Sequence, residues 1–107
     1  MVIQQYDIFI VILDTTVGAE IRKARPCVVI SPDEMNKALK TVQIAPMTTN
    51  TEGYPWRVPT TFQGRKGMVA LDHIRTVDRK RLAKRVGHTG RSVTGHIKRV
   101  IHEMLVA

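Results

Sequence analysis

Arg25 stands directly before Pro26 in the run Gly18-Ala19-Glu20-Ile21-Arg22-Lys23-Ala24-Arg25-Pro26-Cys27-Val28-Val29-Ile30. Pro26 fixes its own φ and biases Arg25 towards an extended backbone. The guanidinium is therefore launched from a defined point, where a charged loop enters an apolar strand. A planar, permanently charged fork placed there matches the oxygens of a phosphate. The plainer reading is a polar loop carrying an ordinary surface arginine, and the local sequence leaves both open. Cys27 lies inside the apolar run with no second cysteine to pair with, so it reads as a buried thiol in a reducing compartment. His88, His96 and His102 do not form a ligand set, because His96 and His102 fall on different faces of a helix. No metal and no other cofactor is expected.

Charge points to the class of partner. The 107 residues contain 17 Lys and Arg against 9 Asp and Glu, a net charge of +8. The isoelectric point near 10.3 exceeds the value of about 9 that marks many nucleic-acid-binding domains. Arg79, Lys80, Arg81, Lys84, Arg85, Arg91, Lys98 and Arg99 crowd the C-terminal third, opposed there by Asp78 and Glu103. Such a patch draws polyanions; a merely solvated basic face is the alternative. No stretch is long and apolar enough to span a bilayer, and the N-terminus lacks the pattern of a secretion signal. A cytoplasmic protein with no membrane association is expected.

The elements that must position Arg25 follow from the pattern. A chain of this length is expected to form one domain, residues 1–107, with a core of its own. Tyr6 to Leu13 is almost all β-branched or aromatic and predicts a strand buried on both faces. Pro26 to Ile30 predicts a second. Between them, Asp14 to Ala24 is a long loop. Ser31-Pro32-Asp33-Glu34 predicts the start of a short helix, with Ser31 as cap candidate, ending near Leu39. Thr41 to Thr48 predicts a third strand, and Thr49 to Pro55 a second loop. Arg57 to Phe62 alternates, with Val58, Thr60 and Phe62 on one face. Gln63 to Gly67 predicts the turn, Met68 to Asp72 the returning strand, and Leu82 to His88 another. Val93, Ile97, Val100, Ile101, Met104 and Leu105 form one stripe at helical spacing, so the chain should end in an amphipathic helix packed on the sheet. Short strands with one closing helix predict a small, strongly bent antiparallel barrel.

Five segments in this order resemble the MazF/PemK family of toxins from bacterial toxin–antitoxin pairs. They are Asp14-Thr15-Thr16-Val17-Gly18-Ala19-Glu20; Arg25-Pro26 with Val28-Val29-Ile30; Ser31-Pro32 with Ala45-Pro46-Met47-Thr48; Gly53-Tyr54-Pro55-Trp56; and Gly67 to Thr76. The resemblance covers nearly the whole chain. It implies a mainly β, SH3-like barrel with helices, usually a homodimer. It implies a metal-independent endoribonuclease that cuts single-stranded RNA at short sequences. An acidic antitoxin protein would be its inhibitor. Two other outcomes stay open on the same type of barrel: a non-catalytic toxin that poisons a target such as DNA gyrase, and an RNA-binding module without catalysis.

The chemistry implied is attack of a ribose 2′-hydroxyl on the adjacent phosphorus. It yields a cyclic phosphate and a 5′-hydroxyl. It needs a proton acceptor, a proton donor to the leaving oxygen, and donors to the phosphoryl oxygens. By resemblance, Arg25 and Thr48 hold the positions of the family's catalytic Arg and Thr. Arg25 is not expected to be the base, because guanidinium does not give up its proton readily to become one; charge stabilisation and proton donation to the leaving oxygen suit it better. Glu20 and Asp72 are the candidate bases; Glu20 could equally be a solvated loop charge, and Asp72 could orient Arg25 or cap a turn. Adjacent residues on a strand point to opposite faces, so His73 is not expected to assist Asp72. Arg22, Lys23, Trp56, Arg57, Arg75 and Arg79 are the expected RNA contacts, with Trp56 either stacking on a base or anchoring its loop. In one subgroup of the family the site holds further Arg and His groups, at positions where this chain has Ala70 and Ala19.

Overall fold

The computed structural model describes residues 1–14 and 23–106. The elements run β1 (Asp7–Asp14), β2 (Lys23–Val29), α1 (Asp33–Ala38), β3 (Thr41–Thr48), β4 (Arg57–Phe62), β5 (Arg65–Ala70), a 3-10 turn (Leu71–His73), β6 (Arg75–Asp78), a second 3-10 turn (Arg79–Arg81), β7 (Leu82–His88) and α2 (Arg91–Leu105). The strands pair in the order β4-β5-β3-β2-β1-β7, and β6 joins β3 off this path. Every pairing is antiparallel. β3 is central: one of its edges takes β2, while the other takes β6 along Thr41–Ile44 and β5 at Met47–Thr48.

The apolar runs of β1, β2 and β3 are explained by two cores. Ile8, Val28, Ala45 and Met47 join Val58, Val69 and Leu71 under Ile97 and Val100 of α2. Phe9, Val11, Cys27, Val29, Val42 and Ile44 pack instead with Ile3, Val77 and Leu82. Neighbouring residues alternate between the cores, as the pleat requires. The sheet curls until its two outermost strands approach at Gly87 and Phe62. A β-carbon placed on Gly87 of β7 would lie 3.7 Å from Ile8 and 3.9 Å from Phe62 of β4. The result is the expected bent β-barrel, here a half-barrel with α2 packed over one face.

Five details differ from the sequence expectation, each for a local reason. β2 begins at Lys23, because Ala24 and Arg25 pair with Ile12 and Val11 of β1. The β4–β5 turn is only Gln63 (φ 50°) and Gly64 (φ 76°). Two left-handed residues make the tight turn whose twist suits a hairpin, so Arg65 and Lys66 belong to β5. β6 has little strand signal of its own and exists through its ladder with β3. Pro32, not Ser31, is the α1 cap residue. Ser31 Oγ instead donates to Asn36 Oδ1 at 2.5 Å and accepts the Gln43 N–H at 3.1 Å. In α2, Ile97 and Val100 are buried, but Met104 and Leu105 at the helix end are exposed.

Candidate active site

The β2–β3 ladder pairs Val29 with Ile44, Val28 with Ala45 and Cys27 with Pro46, and there it ends. Neither Pro46 nor Pro26 has an N–H to carry it further. Past this point lies an open cleft of about 360 Å³ lined by Ile10, Arg25, Pro26, Met47, Thr48, Thr49, Thr60, Phe62, Gln63, Arg65, Lys66 and Gly67. Arg25 and Thr48 thus share one concavity, of a size common for small-ligand sites. Ile10, Pro26, Met47 and Phe62 supply an apolar floor, and Arg25, Arg65 and Lys66 supply positive charge.

Local hydrogen bonding prepares Thr48. Its Oγ1 accepts the Asn50 N–H at 3.2 Å. That side-chain turn fixes the oxygen and leaves the hydroxyl proton to be donated elsewhere. The Thr48 backbone is also closely covered. It pairs with Met68, and a β-carbon on Gly67 would fall 2.6 Å from the Thr48 carbonyl oxygen. Only glycine permits this approach.

Cys27 sits behind Arg25 and is fully buried. Its Sγ lies 3.5 Å from the Arg25 carbonyl oxygen and is placed to donate to it. Burial pushes the thiol up to about 12, against a smaller downward pull from the charges of Arg25 and Arg75. A thiol held protonated at neutral pH is not a nucleophile, so Cys27 packs beneath the site without taking part in it.

Among the described residues, Asp72 pairs with Arg57 and not with Arg25. Asp72 is not among the cleft residues; its two oxygens accept from Arg57 Nε and Nη2, each at 3.2 Å. Burial raises its pKa, but the Arg57 hydrogen bonds outweigh that and leave it below the usual carboxylate range. His73 does approach it, with Nε2 at 3.4 Å, because the pair lies in a 3-10 turn and not on a strand. Arg57 also stands over the Tyr54 ring at 5.4 Å. Tyr54 in turn stacks on Trp56, centroids 5.1 Å apart and planes within 6°. Trp56 is 40% exposed, so it anchors nothing in the core of this chain.

The remaining expected contacts scatter. Lys23 opens β2 and is exposed, and Arg75 is exposed on β6 opposite Ile44. Arg79 is turned inward: its guanidinium donates to the carbonyls of Asn36 and, at 3.0 Å, of Met1. It ties α1 and the N-terminus together and has little left to offer a ligand. Glu20 and Arg22 lie outside the described residues, as does Ala19; Ala70 is buried. Arg65, Lys66 and Thr60 were not anticipated as site residues. The signal was the Gln63-Gly64 pair between alternating segments, which marks a two-residue hairpin and puts the following cations on a strand. Among the described residues, no three His, Cys, Asp or Glu side chains gather as a metal site. No helix among them is long and apolar enough to cross a membrane.

The described residues thus form a curled antiparallel half-barrel with the C-terminal helix packed on one face and Arg25 and Thr48 in one cationic cleft. The family model of PemK-like, MazF-like toxins of type II toxin–antitoxin systems matches residues 4–105. The chain belongs to that family. It is 34% identical over 71 residues to the endoribonuclease toxin MazF of Escherichia coli K12, a match spanning 66% of this chain and 64% of that protein. The crystal structure of MazF from Deinococcus radiodurans superposes with a TM-score of 0.81 at 26% identity, covering 100% of this chain and 99% of the other. The MazE–MazF crystal structure (Form-II) from the same organism gives 0.83 at 27% identity, covering 99% and 97%.

Proposed function

We propose that this protein is a sequence-specific endoribonuclease toxin that cuts single-stranded RNA without a metal. The observation that carries the reading is the convergence of Arg25 and Thr48 on one open cationic cleft. A phosphodiester seated there would meet the Arg25 fork and the Thr48 hydroxyl together. Both are donors, as the extra negative charge of a pentacoordinate phosphorus requires. Arg25 stabilises that charge and hands a proton to the leaving 5′-oxygen. Thr48 donates to a phosphoryl oxygen, its own oxygen being held by the Asn50 N–H. Asp72 is engaged by Arg57, so removal of the 2′-hydroxyl proton is assigned to Glu20. The stack of Trp56, Tyr54 and Arg57 beside the β3–β4 loop offers an exposed aromatic face to an unpaired base.

The same reading extends to partners. The charge of +8 favours an acidic, partly disordered antitoxin that covers the RNA cleft, in keeping with the MazE–MazF complex of the Deinococcus relative. A homodimer is proposed from the apolar residues left exposed, among them Met104, Leu105 and Val106 at the end of α2. The place of action is the cytoplasm, where messenger RNA is the substrate.

Incubation of purified protein with a long mixed-sequence RNA in EDTA tests the reading. Discrete fragments with cyclic phosphate and 5′-hydroxyl ends are expected. An absolute need for magnesium, or 5′-phosphate ends, would overturn it.

A further inference from the structure

The cleft explains how one phosphate is held, but an RNA chain presents its phosphates in series. Ile10 sits opposite Pro26 of β2 and opposite Lys84 of β7. Directly paired residues on adjacent strands share a face of the sheet. Ile10 and Pro26 both line the cleft, so Lys84 rises from the same face one strand beyond. At about 4.8 Å between strands, its backbone stands roughly 10 Å from that of Pro26. On the opposite bank Arg65 and Lys66 close the cleft. We propose that these residues form a track across the barrel mouth for the RNA backbone. Arg25 and Thr48 hold the scissile phosphate, Lys84 the phosphate on one side and Arg65 with Lys66 the phosphate on the other. The proposal rests on the endoribonuclease reading and deepens it, because it sets the footprint at three consecutive phosphates or more.

The cations near Lys84 show why it is singled out. Arg85 is bound to buried Asp7 at 3.1 Å. Arg81 donates to the carbonyls of Ile12 and Leu13 at 3.4 and 3.3 Å, and Arg79 to those of Asn36 and Met1. Lys84, Arg65 and Lys66 are exposed, and among the described residues none of them has an ion-pair partner. The cations bound inward hold the barrel together, whereas these three are exposed and unpaired among the described residues.

The test begins by mapping a cleavage site on a long RNA. A short oligonucleotide spanning it is then made with 2′-deoxyribose at the attacking position, so that it binds without being cut. Its affinity is measured against salt for the wild type, Lys84→Gln, the double variant Arg65→Gln/Lys66→Gln, and Lys37→Gln on α1 as control. Each lost phosphate contact should lower the slope of log affinity against log salt by about 0.7. Lys84→Gln should therefore lose about 0.7, the double variant about the same because Arg65 and Lys66 share one phosphate, and Lys37→Gln nothing. With cleavable RNA, Lys84→Gln should raise KM and leave kcat unchanged, as removal of uniform binding does. An unaltered slope in Lys84→Gln, or an equal drop in Lys37→Gln, would overturn the track while the nuclease reading stands. If no cleavage site can be mapped on any RNA, both fall together.

Discussion

Arg25 and Thr48 each lie two residues past the last rung of the β2–β3 ladder, and both line the cleft that opens there. The rung is Cys27–Pro46, and continuing the antiparallel count sets residue 25 against residue 48. The ladder stops short of them, and the space beyond its end is the cleft that both residues line. Arg25→Ala should abolish RNA cleavage, by on the order of 10²-fold or more, as loss of a transition-state donor does. Thr48→Ala should act in the same direction but less severely, because it removes a neutral donor. Both should keep the parent's thermal unfolding curve. An Arg25→Ala protein that folds and cuts like the parent would remove Arg25 from the mechanism.

Gly67→Ala separates packing from chemistry. The added β-carbon would meet the Thr48 carbonyl at 2.6 Å, so β5 or the end of β3 must move. The expected cost is about 1–3 kcal/mol of stability, with a larger fall in kcat than in RNA affinity. Gly53→Ala, where nothing lies within 4 Å of the new carbon, should match the wild type in denaturant unfolding and in rate.

Asp72→Asn should leave the pH dependence of kcat unaltered, because the carboxylate belongs to Arg57. Solvent-screened pairs of this kind contribute little, so stability should barely change. The loosened Arg57 should raise KM through the Tyr54–Trp56 stack. Glu20→Gln, in contrast, should lower kcat and flatten the acid limb of the pH–rate profile. A lost acid limb in Asp72→Asn would return the role of base to Asp72.

Asp7 sets an acid limit on the fold. It is 1% exposed, and accepts from Gln4 N at 3.0 Å and Arg85 Nη2 at 3.1 Å, with His88 Nδ1 3.0 Å away. Burial alone would raise its pKa; the hydrogen bonds from Arg85, His88 and Gln4 more than reverse this and hold it low. The unfolded chain titrates this group near its ordinary value of about 3.9. Ionised Asp7 therefore favours the fold at all pH above that value, and the contribution fades as pH falls through the lower native pKa. Urea midpoints between pH 2 and 7 should show the loss. Asp7→Asn should be less stable at pH 7 by about 1–3 kcal/mol and less sensitive to acid than the parent.

Sedimentation at micromolar concentration should give twice the 12.1 kDa chain mass. A single species at 12.1 kDa would count against the homodimer.

The strands of this barrel were legible wherever a residue's own type decides its burial. Thr41–Thr48, Arg57–Phe62 and Leu82–His88 are bounded as their β-branched runs and alternation imply, and the valines and isoleucines of α2 mark its buried stripe. Arg25 and Thr48, singled out from short motifs, line one cleft. What could not be read locally depends on a neighbour distant in sequence. β6 exists because Arg75–Asp78 lies along β3. Asp72 found Arg57 and not Arg25, since a carboxylate in isolation gives no hint of which of 17 cations will reach it. Arg79 turned inward to two carbonyls because the fold left them within its reach. Arg65 and Lys66 became cleft residues only when a two-residue turn placed them on a strand. Burial follows from side-chain chemistry one residue at a time, whereas ion pairs, ladder ends and clefts are properties of two segments at once, and only the tertiary structure supplies the second.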